Sequence, residues 1–120
     1  MFGWFKKKPA KLMPEAVWSV DVAGDAIQVT DHAGETKLLP KSELSGVIIE
    51  TNDSGPWGTD LWWLFFGADD RVAIAVPQGA TGEAAMVDYL SDLPGFNHEE
   101  MIKAMGSVEI AAFPVWRLAR

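Results

Sequence analysis

The chain has 120 residues, 48% hydrophobic and 22% charged, which suits one domain around a single core. It has no cysteine, and this excludes disulfides, a thiolate nucleophile and sulfur-ligated metal. Four of the ten basic residues (Lys6, Lys7, Lys8, Lys11) precede the first acid; the other six face all seventeen acids, so residues 12–120 carry −11. That is a poor surface for nucleic acid, whose phosphates are bound through Lys and Arg.

The N-terminus runs Met1-Phe2-Gly3-Trp4-Phe5 and then Lys6-Lys7-Lys8-Pro9. A secretion signal has the opposite order, charge before an apolar run, so the expectation is a cytoplasmic protein. Residues 1–13 read as a basic and aromatic tail, 14–117 as one domain, and 118–120 as a frayed end. A competing reading lets Phe2, Trp4 and Phe5 enter an anionic membrane while Lys6, Lys7 and Lys8 meet its headgroups. At about 1 kcal/mol per lysine, the lysines of the tail supply about 4 kcal/mol, only about millimolar affinity. Membrane contact is therefore the lesser reading.

Residues 17–22 alternate, with Trp18, Val20 and Val22 on one face, and read as a strand. Ala23-Gly24-Asp25 turns into Ala26–Thr30, and Asp31–Gly34 turns into Thr36–Leu39. Pro40–Glu43 breaks the pattern before Leu44–Glu50, which contains Val47, Ile48 and Ile49. Thr51–Thr59, rich in Gly, Pro, Asn and Asp, reads as a long loop. Leu61–Phe66 is apolar on both faces and predicts a central strand, with Arg71–Val76 as its hairpin partner.

The period then changes. Thr81 is placed to cap a helix over about 81–93, with Met86, Val87, Leu90 and Leu93 on one side. A second helix is predicted over 97–105, with Asn97 as N-cap, Glu100 as the return partner of a capping box, and Phe96 and Met101 as a hydrophobic staple. It is expected to turn Ile102 and Met105 inward and to stop at Gly106 in the left-handed conformation. Val108–Phe113 predicts a last strand, kept at a sheet edge by Pro114, before a frayed Arg117–Arg120. The fold class is thus α+β: an antiparallel meander or partly open barrel over about 16–76, two helices and an edge strand.

Several motifs carry a resemblance: Ile49-Glu50-Thr51-Asn52-Asp53-Ser54-Gly55-Pro56, Asp60-Leu61-Trp62-Trp63-Leu64, Val76-Pro77-Gln78-Gly79-Ala80-Thr81-Gly82-Glu83, Leu93-Pro94-Gly95-Phe96 and Ile102-Lys103-Ala104-Met105. Over roughly residues 35–117 the chain resembles a group of short, stand-alone bacterial proteins of uncharacterised function. The resemblance implies no activity or cofactor. The order of strands followed by helices is also similar to pleckstrin-homology-like domains, although two helices stand where one is usual.

No catalytic constellation stands out. His32 and His98 are isolated and lack the spacing of a metal site. The acids Glu50, Asp53 and Asp60 with Asn52 do not fit an EF-hand loop and read as solvated turn residues. Gly79-Ala80-Thr81-Gly82 lacks the lysine of a phosphate-binding loop and is followed by Glu83. No serine sits in a nucleophile elbow. Catalytic, cofactor and metal sites are therefore all expected to be absent. Trp18, Trp62, Trp63 and Trp116 are expected to be buried in strands with their N–H groups on backbone acceptors.

Trp57 differs, because Gly55, Pro56 and Gly58 flank it in the long loop. This places a candidate partner-binding surface at Glu50, Asn52, Asp53, Trp57 and Asp60. The expected function is a small non-catalytic protein-binding or regulatory module with a protein partner. The alternatives are an immunity-type or antitoxin-type inhibitor of a basic toxin and a peripheral membrane adaptor acting through the tail.

Overall fold

The computed structural model describes residues 18–55, 58–107 and 109–119, with side chains left aside at 53–55 and 58–60. The tail residues Phe2, Trp4, Phe5, Lys6, Lys7 and Lys8 lie outside the described residues, as does Trp57.

Three strands, β1 (Ser19–Asp21), β2 (Ala26–Thr30) and β3 (Thr36–Pro40), form one antiparallel sheet in that order. Its second turn is held by Asp31, whose carboxylate accepts the N–H groups of Ala33 and Glu35 at 2.9 and 3.0 Å. The Glu35 N–H above all holds this carboxyl below the usual carboxylate range, against the smaller opposing effect of desolvation. A 3-10 turn at Lys41–Glu43 then diverts the chain. A second antiparallel sheet follows in the order β6-β5-β4-β7, built from β4 (Gly46–Gly55), β5 (Gly58–Phe66), β6 (Val72–Pro77) and β7 (Ala111–Arg117). Helices α1 (Glu83–Ser91) and α2 (His98–Met105) come between β6 and β7.

The fold is therefore α+β, as the residue pattern predicts, but the meander divides into two sheets and closes no barrel. The division falls just after Pro40, where Lys41 N–H makes the last tie to this sheet at Asp25 O, 2.9 Å, and the 3-10 turn begins. β2 and β3 pack against β6, α1 against β1, and α2 against β7 and β4. Leu61–Phe66 lies in an inner strand, as predicted. Alternation sends Leu61, Trp63 and Phe65 into the core with Val47, Ile49, Ile74 and Val76, while Trp62, Leu64 and Phe66 stay half-buried on the other face.

The helix starts depart from expectation in one case. Thr81 does not cap α1. Its N–H donates to Trp18 O and its carbonyl accepts from Val20 N–H, both at 2.8 Å, so it pairs alongside β1 in a single parallel bridge to Ser19 instead. The N-cap is Gly82, left-handed at φ +92, where any Cβ would overlap the Val20 carbonyl. Glu83 ties the preceding turn and the sheet to the start of α1: its carboxylate accepts Gly79 N–H at 2.9 Å and Trp63 Nε1–H at 3.0 Å. Trp63 thus finds a side-chain acceptor rather than the backbone one expected, whereas Trp116 Nε1–H donates to Pro94 O at 2.9 Å.

Asn97 does cap α2, accepting Glu100 N–H at 3.0 Å, but Glu100 pairs forward with Lys103 instead of closing the box. Phe96 is buried and Met101 packs on the core. Gly106 ends the helix at φ −98, not left-handed, because its N–H still bonds Ile102 O in helical fashion. The last strand lies later than predicted, and Arg117 belongs to it. Leu118 N–H continues the tie by donating to Ser45 O at 2.9 Å.

Candidate functional site

Thr51–Thr59 is not a long loop. β4 continues to Gly55 and β5 begins at Gly58, with Asn52 paired to Asp60 and Gly55 to Gly58 across a register shift. The Asn, Asp and Gly signals at 52–55 and 58–60 thus fall within paired strands rather than in a loop. The pattern lacks strand periodicity because this stretch projects beyond the sheet: β6 ends opposite Trp62 and β7 begins opposite Thr51. A ribbon of Asn52–Gly55 against Gly58–Asp60, about 10 Å long, therefore extends past both neighbours.

The base of that ribbon is fastened in a row across the sheet. Gln78 N–H donates to Leu61 O at 2.8 Å, Leu61 pairs with Thr51, and Thr51 pairs with Ala111. Thr51 is fully buried, and its hydroxyl donates to Glu109 O at 2.7 Å. The end of α2 reaches the same row, where Gln78 Nε2 lies 3.7 Å from the Met105 sulfur and Ser107 Oγ lies 3.4 Å from Thr51 Oγ1.

This arrangement overturns the inward placement of Ile102 and Met105. Their exposures are 66% and 42%, and Ile110 beside them in sequence reaches 73%. Met101 and Ala104 take the core-facing stripe of α2 instead, and Ile102 stands about 100° round the helix from Met101. Both stripes are apolar at helical spacing, so periodicity did not distinguish them. Three large apolar side chains on one short segment, α2 and its following turn, exceed the scattered exposure expected of an ordinary surface.

Of the predicted loop residues, Glu50 is exposed and pairs across the sheet with Trp62 and Ala112, so it points away from the helices. Asn52 is half-buried at the ribbon base. Asp53 and Asp60 lie in the two strands, their side chains outside what is described. The structure thus brings Asn52 and Asp60 into register and adds Gln78, Met105 and Glu109 around the ribbon base. The signal that would have found Met105 is the short span between the Asn97 cap and Gly106, too short for α2 to bury two apolar stripes.

Both histidines serve as ring neighbours: His32 lies 6.0 Å from Trp18, and His98 packs edge-on to Phe96 at 4.9 Å. Among the described residues no group of three His, Asp or Glu is placed to hold a metal ion. Likewise, no helix there is long and apolar enough to cross a membrane. Comparison with known proteins finds no matching family model, curated protein or solved structure.

Proposed function

We propose that this protein is a small binding module that docks a basic protein partner on the surface around the β4–β5 hairpin and the end of α2. The observation that carries the reading is the exposure of Met105 and Ile110 at the base of a projecting hairpin. Apolar anchors provide buried area, and a surrounding charge of one sign selects and orients the partner. Here Glu99 and Glu109 are exposed on α2 and the turn that follows it, on a body of −11. Inhibition of a basic toxin is one form this binding would take.

The test places a photo-crosslinking residue at Met105 or Ile110 in cells, with Leu38 on the other sheet, 61% exposed, as control. The expected result is one basic protein crosslinked from the first two positions and not from Leu38. With both proteins purified, that protein should form a stoichiometric complex that weakens as salt rises. Met105→Ser with Ile110→Ser, or Trp57→Ala with Asp53→Asn, should abolish the complex while leaving the thermal midpoint nearly unchanged. Equal crosslinking from Leu38, or a complex indifferent to both double variants, overturns the reading.

A further inference from the structure

At the opposite end of the four-stranded sheet, a groove of about 660 Å³ lies over the face turned away from the helices. Gly46 forms its floor, paired with Phe66 on one side and Arg117 on the other. Ile48, which pairs with Leu64 and Pro114, continues the same face. The volume falls within the range of small-molecule sites, about 300–1,000 Å³.

A register shift in β7 gives the groove its charge. Ile48 pairs with Pro114 but Val47 with Trp116, so β7 carries one extra residue at this point. In an unbroken strand, residues three apart point to opposite faces. The bulge instead puts Arg117 on the face of Pro114 and Ile48, at the mouth of the groove. Among the described residues Arg117 makes no ion pair, whereas Lys103 has Glu100 and Lys41 donates to Val22 O at 2.6 Å. Asp70, in the turn between β5 and β6, lines the far wall on the other side of β4. An anion is therefore favoured at the Arg117 end and disfavoured at the other.

From these features we infer that the groove binds an amphipathic monocarboxylate, an unbranched acid of medium chain length. Its carboxylate meets the Arg117 guanidinium, and its chain lies over Gly46 between Ile48, Phe66 and Pro114. A guanidinium fork suits a carboxylate, donating one N–H to each oxygen. Each methylene buried on the apolar floor tightens binding about fourfold. This site is separate from the hairpin surface and stands or falls without it.

The experiment titrates the full chain with decanoate, hexanoate and decanol and follows backbone amide shifts by NMR. Saturable shifts at Gly46, Phe66 and Arg117 are expected, with decanoate binding at least tenfold tighter than hexanoate. Arg117→Gln should cost decanoate about tenfold and leave decanol unchanged. Gly46→Val should plug the groove for both, and the backbone accepts it, since a Cβ there meets only the Trp116 carbonyl at 3.4 Å. If that variant fails to fold, the shift map on the unaltered chain and the Arg117→Gln titrations decide. Shifts that never saturate, shifts that map elsewhere, or equal binding of decanol and decanoate to the unaltered chain overturn the inference.

Discussion

The two helices pack on different sheets, α1 against β1 and α2 against β7 and β4, and do different work. α1 has no side-chain cap of its own at Gly82, yet it buries Met86 and Leu90 completely and holds Trp63 through Glu83. α2 has the stronger local start signal, with Asn97 capping it, yet its fully enclosed helical residue is the small Ala104, and Ile102 and Met105 face outward. A good cap shows where a helix begins; it does not show how much of that helix the core will take. α1 buries two large side chains, whereas α2 packs on β7 and β4 through Met101 and the small Ala104 and leaves apolar surface available.

The contrast breaks first if truncating α1 is cheap. Leu90→Ala should cost about 2–5 kcal/mol, because a fully buried side chain leaves a cavity, and the thermal midpoint should fall by roughly 10 °C or more. Gly82→Ala should cost about 3 kcal/mol by denaturant titration, since it adds a Cβ at positive φ against the Val20 carbonyl. A smaller loss is expected from Glu83→Gln, about 1–2 kcal/mol, because a charged acceptor for two N–H groups becomes a neutral one. Near-ultraviolet circular dichroism should report the change at Trp63.

On the α2 side, Asn97→Ala should cost about 1 kcal/mol through loss of the bond to Glu100 N–H. Ile102→Ala should change stability by less than about 0.5 kcal/mol, as for other surface substitutions. A loss near that of Leu90→Ala would show that α2 buries Ile102 in solution and would remove it from the docking surface. The order of these effects, more than any single value, tests the division of labour between the helices.

Local patterns determined a good deal. Alternation at Trp18–Val22 and the β-branched run Val47–Ile49 mark strands because a half-buried sheet repeats every two residues. The unbroken apolar run at Leu61–Phe66 marks an inner strand, and Asn97 marks a helix start through a bond only three residues long. These features depend on neighbours in sequence, so the chain displays them directly.

Tertiary structure decided the rest. Whether Thr81 caps a helix or bridges to β1 depends on Trp18 and Val20, some sixty residues away in sequence. Whether Asn52–Gly55 is loop or strand depends on pairing with Gly58–Asp60, beyond the last row shared with the neighbouring strands at Thr51 and Leu61. Which apolar stripe of α2 is buried depends on the sheet beneath it, since Met101 with Ala104 and Ile102 with Met105 look equally suitable in isolation. The placement of Arg117 beside Pro114 depends on one extra residue in β7, visible only against the register of β4. In each case the deciding partner is far along the chain, and its contribution exists only once the sheets are assembled.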